Sequence, residues 1–231
     1  NNIEKTAKNV ILATGARSRN LPFVSSDGVN IWDYKTAMTP TKLPSSLIIV
    51  GSGAIGMEFA SFYNDLGVHV TIVEALPSIL PNEDIDISNI VKLNFEKRGI
   101  KIKTNSALKS VTNKENSVLA EITTNEKVET INSEKLILAI GIVANTENLG
   151  LEDFDIKIDK GHVVTNEFLE TGQKGVYAIG DITDGPWLAH KASHEGILCV
   201  EKIAGHQNLK PIDKTSIPGC TYCRPQVASI G

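Results

Sequence analysis

The stretch Leu47–Gly56 reads LIIVGSGAIG and largely determines the fold of this 231-residue chain. Its first four residues are a continuous apolar run, typical of a strand buried on both faces of a parallel sheet. The remaining six form a G-x-G-x-x-G pattern, and a helical pattern of apolar residues follows. A strand, a glycine-rich turn and a helix in this order predict a doubly wound, Rossmann-like α/β domain that binds a dinucleotide.

The three glycines of this loop have distinct predicted roles. Gly51 permits the tight turn, Gly53 lets the backbone approach a pyrophosphate, and Gly56 lets the helix pack closely on the strand. The helix N-terminus adds unpaired N–H groups and the positive end of its dipole. The alternative is a glycine-rich turn beside a solvated glutamate. We assign the pyrophosphate to the three glycines and predict that the whole loop contacts the dinucleotide, through Gly51, Ser52, Gly53, Ala54, Ile55 and Gly56.

Glu74 is the predicted ribose ligand. It lies 23 positions after Gly51, at the end of the predicted strand Val68–Glu74. Its carboxylate can accept hydrogen bonds from both hydroxyls of the adenosine ribose. A 2′-phosphate at this place would meet like charge, at a cost of ~4 kcal/mol per unit charge at ~4 Å. No arginine follows at positions 75–77, so we predict NAD rather than NADP.

The rest of the chain alternates between strand and helix patterns, which indicates an α/β fold with a parallel sheet. Between Leu108 and Ile131, short β-rich runs predict an antiparallel meander. Further strands are predicted at Asn9–Thr14, Ile100–Lys103, Lys135–Ile140 and Gly175–Ile179, and helices at Tyr34–Met38, Ile85–Arg98 and Leu188–Ala204. The predicted apolar face carries Ile55, Phe59, Phe62 and Leu66 in the helix after the glycine loop, and Ile87, Ile90, Val91 and Phe95 in the next helix.

The composition argues against several kinds of partner. Charged residues make up 22% and hydrophobic residues 41%, with a formal net charge of -4, which gives no basic surface for nucleic acid or anionic lipid. No apolar run reaches the roughly 18 residues of a membrane-spanning helix. Three cysteines are too few for a disulfide framework. We therefore predict that the chain binds neither nucleic acid nor a membrane. We also predict that it resides in a reducing compartment, either the bacterial cytoplasm or the mitochondrial matrix.

Five motifs in this order resemble the class I pyridine nucleotide–disulfide oxidoreductase family. They are Ala13-Thr14-Gly15, the glycine loop through Glu58, Glu74, Ala139-Ile140-Gly141 and Tyr177-Ala178-Ile179-Gly180-Asp181. Two further stretches, Leu188–Gly196 and Ile217–Tyr222, are similar to the branch of the family that oxidises dihydrolipoyl groups. One stretch departs from the family, because Gly141–Asn145 reads GIVAN where Gly-Arg-x-Pro-Asn is usual.

The resemblance implies a domain map and two cofactors, NAD and FAD. Residues 1–32 would end a first FAD-binding segment, 33–157 would form an inserted NAD-binding domain, 158–217 a returning FAD-binding segment, and 218–231 the start of an interface domain. To the NAD contacts it adds Leu108 on the adenine side, Gly141 on the nicotinamide ribose side, and Ala139. For FAD it implies contacts with Thr14, Gly15, Asp181 and Ala189.

The resemblance also implies an activity. In the whole enzyme, dihydrolipoyl groups would reduce a redox disulfide, FAD would take the electrons, and NAD+ would leave as NADH. The enzyme would be a homodimer that works with the dihydrolipoyl-bearing acyltransferase of a 2-oxo acid dehydrogenase complex. A sibling such as an NADH oxidase or mercuric reductase, and a stand-alone NAD-binding module without redox chemistry, are the alternatives.

The thiol chemistry of the family is not encoded in this sequence. It has no Cys-x4-Cys pair and no His-Pro-x3-Glu dyad, its cysteines being Cys199, Cys220 and Cys223. It also begins without Met and stops in an apolar stretch. We expect an internal piece of a longer enzyme, which binds NAD(H) at best weakly, retains little FAD and shows no lipoamide turnover.

A few other side chains allow alternative interpretations. The resemblance implies that Glu58 lies near the flavin, and the alternative is a glutamate that favours the helix dipole. Cys220 and Cys223 could form a redox or zinc half-site, but no second pair accompanies them. His190 and His194 could share a helix face, but they lack a further ligand pattern. We predict no metal site, and a core position for Cys199.

Overall fold

The computed structural model describes residues 4–231, and strands and helices alternate between Ile31 and Lys103. The strands are β1 (Val10–Leu12), β2 (Ala16–Ser18), β3 (Ile31–Trp32), β4 (Ser46–Val50), β5 (His69–Val73), β6 (Lys101–Lys103), β7 (Ser106–Asn113), β8 (Val118–Thr124), β9 (Lys127–Ser133), β10 (Lys135–Leu138), β11 (Ile142–Ala144), β12 (Ile158–Asp159), β13 (His162–Val163), β14 (Val176–Ala178), β15 (Gly219–Thr221) and β16 (Val227–Ser229). The helices are α1 (Tyr34–Met38), α2 (Ala54–Asp65), α3 (Ile85–Lys97) and α4 (Ala189–Ile203), with 3-10 turns at Leu151–Asp153, Gly180–Ile182 and Lys214–Ser216. Within residues 4–231 no helix has the length and apolarity to cross a bilayer.

The chain divides into two compact units. Unit 1 comprises Asn1–Arg17, Ile142–Gly219 and Ile230–Gly231, and unit 2 comprises Ser18–Gly141 and Cys220–Ser229. The units therefore change at 17/18, 141/142, 219/220 and 229/230, whereas the predicted segment borders lie at 32/33, 157/158 and 217/218. The cofactor assigned to each segment stays a prediction.

A five-stranded parallel sheet forms the centre of unit 2, in the order β3-β10-β4-β5-β6. The predicted apolar run after Ser46 lies in β4, which pairs with a strand on each side and is covered on both faces. The register places Val50 opposite Val73, so β4 and β5 end at the same edge of the sheet. The predicted α/β fold with a parallel sheet is confirmed.

Helix α2 packs on the sheet through a different face from the predicted one. Its buried residues are Gly56, Met57, Ala60, Ser61 and Tyr63. Of the four residues predicted on the apolar face, Phe59 is partly buried against the core, but Ile55, Phe62 and Leu66 are 38%, 50% and 49% exposed. The prediction of the buried face is therefore wrong. The helix is apolar on two sides, and the side with glycine and alanine can approach the sheet more closely.

Helix α3 buries only two of the four residues predicted on its apolar face. Val91 and Phe95 are buried as predicted, whereas Ile87 and Ile90 are 40% and 53% exposed. The helix begins where predicted, because the side chain of Asp84 accepts a hydrogen bond from the backbone N–H of Asp86 at 2.8 Å. Its bounds therefore follow from local sequence, but its full buried face does not.

The predicted antiparallel meander is confirmed as β7-β8-β9. Val118, Ala120 and Ile122 of its central strand share a buried cluster with Ile48 and Leu136 of the parallel sheet. The meander thus covers one face of the sheet, and α2 and α3 cover the other. This arrangement leaves the edge where β4, β5 and β10 end as the place for a site.

Unit 1 is built around the parallel pair β1-β14, in which Ile11 lies opposite Tyr177. Helix α4 packs there through Leu198 and Cys199, in a cluster with Tyr177. The strands predicted in these regions and the last helix are confirmed, with bounds shorter by one or two residues. Cys199 is fully buried as predicted, and burial raises the pKa of its thiol. The short pairs β2-β11, β12-β13 and β15-β16 were not predicted.

Candidate nucleotide-binding site

The turn between β4 and α2 requires glycine at two positions. Gly51 has a φ of +99°, and a Cβ on it would lie 2.4 Å from the carbonyl oxygen of Ala139. A Cβ on Gly56 would lie 2.1 Å from the carbonyl oxygen of Gly51. Real Cβ atoms do not approach backbone atoms this closely, so a side chain at either position would force the loop to move. The loop, the end of β10 and the start of α2 are therefore packed together through bare backbone.

The third glycine has a different environment. A Cβ on Gly53 would have no atom within 4 Å, so its backbone faces open space. Gly53 is also the N-cap of α2, where no side chain accepts a hydrogen bond and the first turn contains no acidic residue. Ala54 and Ile55 begin the helix and are exposed. The N–H groups of this first turn are available to an anion, which is the arrangement that a pyrophosphate needs.

Glu74 lies beside the loop, directly after β5, but it is more enclosed than expected. It is 7% exposed, and both of its carboxylate oxygens accept hydrogen bonds from the protein. Oε2 accepts from the backbone N–H of Ser52 at 2.8 Å and from its hydroxyl at 2.6 Å. Oε1 accepts from the backbone N–H of Leu76 at 2.8 Å. The carboxylate is thus fixed in place before any nucleotide binds.

Ser52 has a role that the sequence pattern does not reveal. The pattern identifies it as a loop residue between two glycines, but the structure shows it fully buried and bonded to Glu74, 22 positions away. Its carbonyl oxygen also accepts the backbone N–H of Leu80 at 2.9 Å. Ser52 therefore joins the glycine loop to the segment that follows β5.

The other predicted NAD residues lie around the same edge of the sheet. Ala139 follows β10 directly, and its N–H donates to the carbonyl oxygen of Val50 at 2.8 Å. Gly141 has a φ of +101°, and its carbonyl oxygen accepts the N–H of Arg19 at 2.9 Å. Leu108 lies on β7, where the register shifts, and packs against the buried cluster under the meander. Of these residues, Ala139 contacts the glycine loop directly.

The first predicted FAD residues, Thr14 and Gly15, are held in unit 1 by Asn145. The Thr14 hydroxyl donates to the Asn145 carbonyl oxygen at 2.8 Å, and the Asn145 side chain donates to the Thr14 carbonyl oxygen at 2.9 Å. The Asn145 N–H donates to the carbonyl oxygen of Gly15 at 2.9 Å. Asn145 ends the GIVAN stretch, so the part of the family pattern that this chain keeps has a structural role here.

A buried ion pair supports the turn that carries Asp181. The N–H of Gly180 donates to Glu195 Oε2 at 2.7 Å, and Lys191 Nζ lies 3.1 Å from Glu195 Oε1. Lys191 also donates to the hydroxyl of Thr183 at 3.2 Å. All three residues are at most 4% exposed. The four-residue spacing of Lys191 and Glu195 is visible in the sequence, but their burial is not.

The other predicted FAD residue is Ala189, the first residue of α4, and it is exposed. The N-cap Leu188 has no side-chain acceptor for the first N–H groups of this fifteen-residue helix. Asp181 is partly exposed on its turn. Unit 1 thus offers an uncapped helix start and an acidic side chain of the kind that resemblance assigns to FAD.

Glu58 has a contact that neither interpretation anticipated. It lies beyond the first turn of α2, where the effect of the helix dipole has weakened. Its Oε1 accepts the backbone N–H of Tyr222 at 2.8 Å. Within unit 2, Glu58 therefore anchors the segment that contains β15 and β16, and its predicted place beside a flavin stays a prediction.

One member of the cysteine pair and one of the histidine pair each contact a backbone carbonyl oxygen. Cys223 is buried, its thiol donates to the Pro225 carbonyl oxygen at 3.1 Å, and burial raises its pKa to about 11. A ring nitrogen of His190 lies 2.9 Å from the carbonyl oxygen of Pro218. Among residues 4–231, no three His, Cys, Asp or Glu side chains are placed to share a metal ion.

Comparison with known proteins gives a consistent match. A family model described as "Pyridine nucleotide-disulphide oxidoreductase" matches residues 1–196. The dihydrolipoyl dehydrogenase of Rhizobium etli is 52% identical over 227 residues, which are 98% of this chain and 47% of that protein. The dihydrolipoyl dehydrogenase of Zymomonas mobilis is 50% identical over 226 residues, 97% of this chain and 48% of that protein. The chain thus spans about half the length of the curated relatives it matches.

Solved structures also match nearly the whole of this chain. LpdA from Mycobacterium tuberculosis superposes with a TM-score of 0.89 at 33% identity, over 97% of this chain and 48% of that one. RclA from Escherichia coli, an HOCl-induced flavoprotein disulfide reductase, superposes with a TM-score of 0.86 at 25% identity, over 96% and 51%. Both similarities extend over nearly all of this chain and about half of the solved one.

Proposed function

The chain belongs to the pyridine nucleotide-disulphide oxidoreductase family, and on that premise we propose that it supplies the NAD site and part of the FAD site of a dihydrolipoyl dehydrogenase. Two relatives with that name are 50% and 52% identical to nearly the whole chain. Because the chain covers about half of their length, the activity, substrate and partners of the whole enzyme belong to this proposal.

One observation carries the assignment of NAD to unit 2. The loop packs through bare backbone at Gly51 and Gly56, yet it leaves Gly53 facing open space at an uncapped helix start. A loop that served packing alone would have no reason to leave its middle glycine without a neighbour. This geometry supports a pyrophosphate beside Gly53, bound by first-turn N–H groups, with the ribose near Glu74.

The chain's own residues would bind and orient the nucleotide. Ala54 and Ile55 continue the loop around the pyrophosphate, while Ser52 is buried and binds Glu74. Ala139 and Gly141 lie at the end of β10, on the side proposed for the nicotinamide ribose. Leu108 is proposed for the adenine side. The negative charge of Glu74 opposes a 2′-phosphate, which supports NAD over NADP.

We assign FAD to unit 1, with contacts from Thr14, Gly15, Asp181 and Ala189. Support comes from the uncapped start of α4 and from the buried Lys191–Glu195 pair, which fixes the turn carrying Asp181. The GIVAN stretch keeps its Asn145, which holds Thr14 and Gly15 in place. FAD and NAD would supply hydride chemistry when bound, and the residues of this chain would position them.

In the whole enzyme, this chain would serve the oxidation of dihydrolipoyl groups with reduction of NAD+ to NADH. The protein partner would be the dihydrolipoyl-bearing acyltransferase of a 2-oxo acid dehydrogenase complex, and the enzyme would be a homodimer. The 231 residues contain no Cys-x4-Cys pair. We therefore propose that they bind cofactor but do not oxidise lipoyl thiols by themselves.

A sibling flavoprotein disulfide reductase is the second candidate, because RclA has the same fold over nearly all of the chain. Sequence identity favours the first candidate, because this chain is 25% identical to RclA but 52% and 50% identical to the two dihydrolipoyl dehydrogenases. A stand-alone NAD-binding module would bind NADH in the same way but would have no place for FAD. Retention of flavin by the purified chain would exclude the module.

The test is a titration of the 231-residue chain with NADH, followed by the fluorescence of the nucleotide. We expect saturable binding, and we expect Gly53→Glu to abolish it, because the new side chain would place size and negative charge at the pyrophosphate. The backbone there has an ordinary φ and open space, so this variant should fold normally.

The matched control is Thr112→Glu, which adds the same charge at an exposed position of β7. It should bind NADH as the unaltered chain does. Equal binding by the chain and by Gly53→Glu would contradict the NAD site. Lipoamide-dependent NADH formation by the pure chain would contradict its proposed lack of turnover.

A further inference from the structure

The contact between Ser52 and Glu74 is the most enclosed polar contact at the candidate site. Ser52 is 0% exposed and Glu74 is 7% exposed. Two donors of one residue, a backbone N–H and a hydroxyl, bind the same carboxylate oxygen at 2.8 and 2.6 Å. Any surface glutamate could carry the negative charge that opposes a 2′-phosphate, so this buried contact needs a further explanation.

The hydrogen bonds of Glu74 restrict what it can offer a ligand. A carboxylate has about four acceptor positions, two on each oxygen. The three protein donors fill both positions on Oε2 and one on Oε1. Oε1 therefore has room for one further donor, so Glu74 would accept from a single ribose hydroxyl rather than from both.

The same bonds fix the direction of the carboxylate. Rotating it away from a bound nucleotide would break the contacts with Ser52 and Leu76 and leave a buried charge without donors. Leu80 donates to the carbonyl oxygen of Ser52, which ties the loop back to the segment after β5. A 2′-phosphate would therefore meet a charge that cannot move aside.

We propose that Ser52 is a specificity-determining residue, which excludes NADP by holding the carboxylate of Glu74 toward the ribose. This inference rests on the proposed NAD site and adds a second residue to its selectivity. Ser52 acts through Glu74 and is a positioning residue, because its own side chain is buried and bonded to the protein.

The test compares NADH and NADPH affinities of the 231-residue chain and of Ser52→Ala. The substitution removes the hydroxyl donor and keeps the backbone N–H, so the carboxylate gains freedom to turn. We expect the ratio of the NADPH to the NADH dissociation constant to fall about tenfold, the effect of roughly one hydrogen bond to a charged group. Ser88→Ala is the matched control, since Ser88 is 2% exposed and its hydroxyl donates to the Leu80 carbonyl oxygen.

A second variant tests whether Ser52 acts through Glu74. Glu74→Gln removes the charge, and adding Ser52→Ala to it should leave the NADPH to NADH ratio unchanged, which is the coupling expected of a pair acting as one. Thermal unfolding of each variant shows whether it is folded. A purely structural role of Ser52 would weaken the binding of NADH and NADPH alike and leave the ratio of their dissociation constants unchanged.

The outcomes distinguish this inference from the proposed function. Three results together would support it. The ratio of the NADPH to the NADH dissociation constant would fall in Ser52→Ala and stay unchanged in Ser88→Ala. In the double variant it would equal the ratio in Glu74→Gln. NADH binding by the chain, with the same ratio in Ser52→Ala, would overturn the role of Ser52 and leave the NAD site standing. Failure of the unaltered chain to bind either nucleotide would overturn both.

Discussion

Each unit contains a turn in which a buried glutamate accepts a backbone N–H group, but the two glutamates differ in their partners. In unit 2, Glu74 binds the N–H of Ser52, and its three protein donors are all neutral. In unit 1, Glu195 binds the N–H of Gly180 and is paired with the ammonium group of Lys191 at 3.1 Å. The first arrangement keeps a negative charge at the edge of a site, and the second compensates it within the protein.

The difference indicates what each carboxylate does. A buried charge with a counter-ion fixes the backbone and presents little field to a ligand. A buried charge with neutral donors keeps its field, which can select between ligands that differ in charge. We propose that similar local chemistry serves specificity in one unit and turn geometry in the other. The expected effects of the variants run from the largest to the smallest.

The largest effect is expected from Lys191→Met. It would leave Glu195 buried without a counter-ion, so we expect unit 1 to lose about 3–5 kcal/mol of unfolding free energy, measured by urea denaturation. Lys92→Met is the matched control, because Lys92 and Glu96 have the same four-residue spacing but are 37% and 43% exposed. It should cost less than about 1 kcal/mol. Equal losses in the two variants would remove the distinction between the glutamates.

An intermediate effect is expected from glycine substitutions in unit 2. Gly56→Ala would place a Cβ 2.1 Å from a backbone oxygen, so we expect a loss of about 2–3 kcal/mol in stability and of NADH binding. Gly53→Ala meets no atom within 4 Å, so its stability should stay within about 0.5 kcal/mol while NADH binds more weakly. Thermal unfolding and NADH titration measure the two effects, and a stable Gly56→Ala would show that the loop packs less tightly than described.

The smallest effect concerns a third carboxylate, Asp27, at an exposed loop. Burial acts to raise its pKa, but hydrogen bonds from the N–H groups of Ile31, Val29 and Asn30 and from the Asn113 side chain prevail and lower it. A pKa lower in the folded than in the unfolded chain stabilises the fold above the ordinary value near 4, and this contribution is lost as pH falls through the folded value.

We therefore expect Asp27→Asn to cost less than about 1 kcal/mol at pH 7, because the site is exposed to solvent. The difference from the unaltered chain should shrink as pH falls below about 4. Denaturation at a series of pH values measures it. A difference that does not change with pH would show that the charge of Asp27 is not what stabilises its loop.

Much of the fold could be predicted because its signals are local. The apolar run before Gly51, the tight turn that this glycine permits and the start of α3 at Ile85 each depend on a few neighbouring residues. The meander was predictable for the same reason, since its strands are joined by short polar turns. These locally predicted features are found in the structure because the packing of the folded chain favours the same conformations.

The errors arise where local sequence leaves a choice. Helix α2 is apolar on two sides, and the sheet selects the side with Gly56 and Ala60, which periodicity cannot distinguish from the side with Phe62. The contact between Ser52 and Glu74 joins residues 22 positions apart, and it depends on the pairing of two strands. Glu74 could be assigned to a ribose from its position, but its protein donors could not be.

The pairing of Val50 with Val73 has a consequence that reaches beyond the sheet. Successive side chains of a strand point to opposite faces, so a slip of one residue in β5 would turn Glu74 away from the glycine loop. The length of the connection between α2 and β5, which turns at Gly67 with a φ of +86°, sets this alignment. In the proposed site, an insertion or deletion in that distant turn would therefore change the choice of coenzyme while every proposed contact residue stays the same.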